Sequence, residues 1–179
     1  MSLEIANTQF KQSLGPLSDK DVQECVLPKN HHALMSTKSY GHNLGFSCAF
    51  RQWRAESHCK YVHGYALAFS FTFAADFVDR CGWVVDFGGL KSLKGLLEQC
   101  FDHTLLVAID DPHLPVFQSM HENGIANVHI VPATGCEAFA RMVYDMTAQW
   151  LKDAGFAPRC WLVSVEVSEH GANSAICRG

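Results

Sequence analysis

The sequence predicts an α+β fold, an antiparallel sheet with two long helices on one face. Three observations carry that expectation. From His63 to Phe77 large residues (His63, Tyr65, Leu67, Phe69, Phe71, Phe73) alternate with small ones (Gly64, Ala66, Ala68, Ser70, Thr72), the period of a strand. Apolar residues recur at helical spacing in Gly88 to Cys100 (Leu90, Leu93, Leu96, Leu97) and in Gly135 to Asp153 (Phe139, Met142, Val143, Met146, Trp150, Leu151). Strands and helices are also segregated along the chain, which argues against a doubly wound parallel sheet.

Taken in order, residues 1–40 read as an irregular arm with at most a short helix near Ser18 to Gln23, and residues 41–179 as a single domain. The His31-His32 pair in the arm points apart on any regular backbone, so only a loop aims both rings at one metal. Residues 43–50 read as a strand with Phe46, Cys48 and Phe50 on one face, joined to the long strand by a polar loop, Arg51 to Lys60. After a turn at Asp79 to Gly82 come a short extended piece, Trp83 to Phe87, and the first helix. Leu105 to Ile109 is extended, Asp110 to Gly124 has room for a short helix, and Val128 to Val131 is a strand ended by Pro132. Gly155 and Pro158 stop the second long helix. Trp161 to Glu169 is the last long strand, with Trp161, Val163, Val165 and Val167 on one face. The long strands leave a sheet edge that invites pairing with another copy.

Composition narrows the function classes. Apolar residues are 48% and charged residues 18%, so the chain has the apolar content for a core and is not a disordered one. The net charge is −4 and the basic residues are scattered, which excludes an electrostatic footprint for nucleic acid. No stretch is long and apolar enough for a membrane span, and no secretory signal is visible. Eight cysteines occur without a C-x-x-C pair, so neither a zinc ribbon nor a disulfide scaffold is indicated. The expectation is reduced thiols, mostly buried, in a cytoplasmic protein.

Several residues have chemical potential. His63 and Tyr65, two apart on a strand, project from one face; a pair there suits a metal if both are imidazoles, and equally an ordinary strand histidine. Cys59 ends the polar loop near His58, Lys60 and Arg54, where a thiolate is favoured, although spacing alone also fits a cysteine without a role. Asp102-His103 follows the first helix: the carboxylate can set the imidazole tautomer, or the two can be an exposed helix-terminus pair. Glu169 lies on the apolar face of the last strand by parity, so it either reaches solvent or accepts the N–H groups of a guanidine-like edge such as that of a pterin.

These pieces fit one pattern. Phe46-Ser47-Cys48-Ala49-Phe50 resembles a strand written F-x-A-A-H, and Cys59-Lys60-Tyr61-Val62-His63-Gly64-Tyr65 resembles C-x-x-x-H-G-H. Trp83 to Phe87 with Leu90-Lys91 resembles G-(M/W)-(V/I)-x-D-F-x-x-L-K, and Asp102-His103-Thr104-Leu105-Leu106 resembles D-H-x-x-L. Glu137 looks like the Glu of P-T-x-E, and Ser168-Glu169-His170 with Ala175 to Gly179 resembles a closing strand and tail. In this order and spacing they resemble the 6-pyruvoyl-tetrahydropterin synthase / 6-carboxy-tetrahydropterin synthase family from about residue 43 to the end. The resemblance implies a tunnelling (T-fold) homo-oligomer, commonly a hexamer, and a lyase acting on 7,8-dihydroneopterin triphosphate in the carboxy (queuosine) or pyruvoyl (biopterin) branch. It implies Cys59 as proton shuttle with Asp102 and His103 as its relay, and Glu169, with Glu137, as substrate-binding residues. Arg51, Arg54 and Lys60 are expected to meet the triphosphate.

The resemblance also implies zinc held by three histidines, of which only His63 is present. Phe50 and Tyr65 stand at the other two positions. Catalytic zinc normally has three protein ligands. Three readings follow: His58 or Cys59 joins His63 at a rearranged metal site, a related pterin reacts without metal, or the chain is a non-catalytic pterin- or purine-binding protein.

Overall fold

The computed structural model describes residues 34–179; the short helix near Ser18 to Gln23 and the His31-His32 pair lie outside the described residues. The long alternating strand is β3, His63–Ala75, and β1, Leu34–Tyr40, and β2, Phe46–Phe50, precede it. Both pair antiparallel with the same edge of β3. The register sets Leu34 to Tyr40 against Ala75 to Phe69, and Phe46 to Phe50 against Leu67 to His63. Between them a 3-10 turn, His42–Leu44, ends at Gly45 in the left-handed region (φ 79°), a conformation that suits glycine.

β1 had been expected to belong to the irregular arm. Its pattern explains the difference: only Tyr40 is buried, so no apolar alternation marks it. Main-chain pairing to β3 holds it instead, helped by the Tyr40 hydroxyl, which donates to the Leu90 carbonyl at 3.1 Å.

The remaining elements are α1, Lys91–Phe101; β4, Thr104–Ala108; α2, Leu114–Glu122; β5, Val128–Val131; α3, Cys136–Asp153; β6, Cys160–His170; and β7, Asn173–Arg178. The sheet order is β5-β4-β2-β3-β6-β7, with β1 also on β3. The expected α+β class holds, but the sheet is mixed: β2 with β4 and β4 with β5 are parallel, the other pairs antiparallel. The β4–α2–β5 connection has the helix that a parallel crossover requires. The piece Trp83 to Phe87 pairs with no strand among the described residues. It is a string of turns with Val84 and Val85 buried, held by the Arg159 guanidinium, which donates to the carbonyls of Phe77, Trp83 and Val84.

The two long helices lie on one face. Phe46, Phe50, Leu67, Phe69, Phe71 and Phe73 share a core with Leu93, Leu97 and Phe101 of α1 and Phe139 and Val143 of α3. The short α2 covers the opposite face at one end, where Phe117 packs on Leu105 and Val107, the β4 residues of opposite parity to Leu106. β4 is therefore buried on both faces.

This packing makes a direct prediction. Phe71→Ala, at a position with no exposure, lowers the unfolding free energy by about 3–5 kcal/mol in a urea titration, whereas Thr72→Ala, on the small-residue face, costs about 0.5 kcal/mol.

Candidate functional site

Strand parity builds the floor of a cleft. Phe50 of β2 stands opposite His63 of β3, and Tyr65 is two residues further on the same face. Their rings cluster, with centroids 5.2 Å apart for Phe50 and His63, 5.9 Å for Phe50 and Tyr65, and 5.5 Å for His63 and Tyr65. Phe50 also meets Phe139 of α3 edge-on at 5.0 Å. The cleft, about 410 Å³, is closed by Cys59 from the polar loop, Gly135, Cys136 and Glu137 at the start of α3, and Glu169 with Ala172 to Ser174 from the β6–β7 hairpin. It has room for a two-ring heterocycle, and the two carboxylates offer acceptors for an N–H-rich edge.

Cys59, His63, Glu137 and Glu169, singled out from sequence, thus share one cleft. Asp102 and His103 do not line it. They are bonded to each other, with His103 Nδ1 2.6 Å from Asp102 Oδ1, and the His103 side chain is 86% exposed. His103 has positive φ (55°), and its amide donates to the Ser47 carbonyl at 2.8 Å. Ser47 lies roughly 10 Å of strand from Phe50, so the pair sits at the far end of β2. Sequence reasoning missed Gln52, Gly135, Cys136 and Asn173 as lining residues; Gly135 and Cys136 immediately precede the motif residue Glu137, which was the signal that could have found them.

The cleft's two walls are tied by Arg51 and Gln52. Arg51 makes a two-pronged ion pair with Asp111, whose side chain is 1% exposed: Nε–Oδ2 and Nη2–Oδ1 are both 2.7 Å. Its Nη1 donates to the Lys60 carbonyl at 3.4 Å, and its own carbonyl accepts from the Thr134 hydroxyl at 2.7 Å. The Gln52 amide N–H donates to the Cys59 carbonyl at 2.9 Å, while its side chain donates to the Thr134 carbonyl. Arg54 stacks on Trp53 and pairs with Asp110 at 2.6 Å. Arg51 and Arg54, expected to face a triphosphate, are therefore already paired within the chain. Gly135 sits in this seam at φ 105°, where a Cβ would meet Gln52 Nε2 at 2.5 Å.

Two thiols in the cleft differ. Burial first, then the Glu169 and Glu137 carboxylates, push Cys136 up to about 12, so it stays a thiol at neutral pH. Cys59 is half-buried. Burial, then the Glu169 carboxylate and the two thiols, also push the Tyr65 phenol up, keeping it protonated. The zinc expectation meets a mismatch here. Among the described residues no group of three or more His, Cys, Asp or Glu side chains is placed to hold a metal. Phe50 has no donor atom, a neutral phenol is a weak ligand, and neither His58 nor Cys59 completes a set with His63. The residues present do not fit a three-ligand zinc.

The fold is that of a T-fold scaffold, and comparison with other proteins agrees. Solved structures of like fold include an uncharacterized protein from Wolinella succinogenes (TM-score 0.70, 16% identity, 83% of this chain and 99% of that one). They also include a 6-pyruvoyltetrahydropterin synthase from Plasmodium vivax (TM-score 0.60, 15% identity, 82% and 98%). A 6-carboxy-5,6,7,8-tetrahydropterin synthase from Aquifex aeolicus is 28% identical over 135 residues, 73% of this chain and 82% of its own length. One from Rickettsia bellii is 38% identical over 72 residues, 40% of this chain and 52% of its own length. The sequence profile described as 6-pyruvoyl tetrahydropterin synthase matches residues 41–179, and the chain belongs to that family. No helix among the described residues is long and apolar enough to cross a membrane.

Two outcomes follow from the geometry. The Arg51 hydrogen bonds, outweighing burial, hold the Asp111 carboxyl below the ordinary range. The resulting stabilisation is fully present above the unfolded carboxyl's value of about 3.9 and is lost as pH falls through the lower folded value. Asp111→Ala accordingly costs about 3 kcal/mol at neutral pH, a deficit that narrows in acid, read by urea unfolding from pH 7 down to pH 3. Separately, iodoacetamide at pH 8 followed by peptide mass spectrometry labels Cys59 well before Cys136, whose buried thiol is held protonated at that pH.

Proposed function

We propose that the chain is a pterin synthase-like lyase acting on 7,8-dihydroneopterin triphosphate, of the 6-carboxy- or 6-pyruvoyl-tetrahydropterin synthase type. The carrying observation is that Cys59 and Glu169 face one cleft, with Glu137 and His63 beside them. In this reading Glu169 accepts two parallel N–H groups of the pterin edge and Glu137 contributes a second acceptor. That seats the ring and directs its side chain toward Cys59, which moves the proton at the reacting carbon.

Asp102 and His103 serve as the acid–base relay. Asp102 holds the His103 ring by the 2.6 Å hydrogen bond, fixing which nitrogen is free. Being exposed and outside its own cleft, the pair serves Cys59 only across an assembly, where a second copy brings it to the mouth. A cytoplasmic homo-oligomer, hexameric by resemblance and feeding either the queuosine or the biopterin branch, belongs to the same reading. The triphosphate falls to Lys60 rather than to the paired Arg51 and Arg54. A second reading, a T-fold protein that binds a pterin or purine without turnover, is favoured by Phe50 and Tyr65 at the metal positions.

Turnover of 7,8-dihydroneopterin triphosphate by the assembled protein tests the proposal. Cys59→Ala is expected to lower kcat by about 100- to 10,000-fold with pterin binding kept, and Glu169→Ala to weaken binding about tenfold or more. Tight pterin binding with no turnover by the wild type selects the second reading, and turnover indifferent to Cys59→Ala removes that residue from the mechanism.

A further inference from the structure

The three side chains at the family's metal position converge in space, but as a ring cluster. Phe50 is 1% exposed and wedged between His63 and Phe139, so it is a packed floor and not a vacant ligand position. The His63 ring is fixed by its Nδ1, 2.7 Å from the Tyr61 carbonyl. That bond assigns the proton to Nδ1 and leaves Nε2 as an acceptor. The hydroxyls of Tyr40 and Tyr144 donate to the Leu90 and Leu162 carbonyls. The Tyr65 hydroxyl lines the cleft with no such protein partner among the described residues. A tyrosine phenol carries its proton at neutral pH, so this hydroxyl is a donor.

One donor and one acceptor, two residues apart on one strand face above an apolar floor, match a carbon chain carrying hydroxyl groups. A hydroxyl gives a proton to Nε2 and receives one from the phenol. We propose that the position assigned by family resemblance to zinc is, in this chain, a metal-free subsite in which His63 Nε2 and the Tyr65 hydroxyl hold a hydroxylated side chain against the Phe50 ring. The inference deepens the pterin reading above and rests on it for the ring that bears the side chain.

The test has a metal arm and a ligand arm. In equilibrium dialysis against micromolar zinc chloride, the wild type takes up no stoichiometric zinc, whereas Phe50→His with Tyr65→His, which restores three imidazoles, takes up one ion. Stoichiometric zinc in the wild type that disappears in His63→Ala overturns the proposal. That comparison decides even if the double variant fails a circular-dichroism check of folding. In the ligand arm, 7,8-dihydroneopterin and 6-methylpterin are titrated by fluorescence. The wild type is expected to prefer the trihydroxylated ligand, and Tyr65→Phe to reduce that preference about fivefold, one neutral hydrogen bond's worth, leaving 6-methylpterin binding unchanged. Equal binding of the two ligands by the wild type overturns the subsite. Binding of neither ligand sinks the pterin reading and, with it, the ligand half of this proposal, while the zinc result still decides the metal half.

Discussion

The architecture hangs on the strict two-residue alternation of β3. This thirteen-residue strand pairs with β1 and β2 along one edge and with β6 along the other. A shift of register by one residue would turn Leu67, Phe69, Phe71 and Phe73 out of the core and put Ala66, Ala68, Ser70 and Thr72 into it. The same parity that buries the phenylalanines near the middle of the strand aims His63 and Tyr65 at the cleft near its start. Core and site are therefore not independent designs. The floor residue Phe50 belongs to both, packing on Phe139 while lining the cleft.

The walls depend on polar seams. Arg51 and Gln52 tie the loop bearing Cys59 to the turn before α3 and to the Asp110-Asp111 corner, using a buried bidentate ion pair, bonds to the Lys60, Cys59 and Thr134 carbonyls, and one from the Thr134 hydroxyl. Such a seam is costly to break because either partner left alone is a buried charge. Loops carry reactive groups in many proteins; here the loop is as well held as a strand end. That is what a thiol needs if it is to meet one atom on the side chain of a seated ring.

How much of this was legible in the sequence varies with the physics of each part. The long strand and the two long helices stood out because one face of each is buried and the side-chain pattern records it; the helix at 114–122, with Phe117 alone buried, was legible only as room for a short helix. β1 left no record, since backbone pairing without burial is silent in the pattern. The parallel pairings of β4 were hidden too: five consecutive buried residues read alike in any sheet. In the site, Cys59, His63, Glu137 and Glu169 were readable as motif positions, and the structure gathers them. The placement of Asp102-His103 at the other end of β2 was not, because adjacency to a helix end says nothing of distance from a cleft. Gln52 and Cys136 carry no periodic signal, and the pairing of Arg51 and Arg54 with Asp111 and Asp110 crosses more than fifty residues of chain.

The glycine between Thr134 and Cys136 has a wider consequence. Its backbone angle and its closeness to the Gln52 amide leave no space for any side chain unless Gln52 first withdraws from the Thr134 carbonyl. Any other residue at position 135 would narrow this cavity, because an added side chain only takes up space. A shorter residue at position 52 would relieve that clash and give up the bond to the Thr134 carbonyl. The order of the two changes, 52 before 135, is thus imposed by geometry.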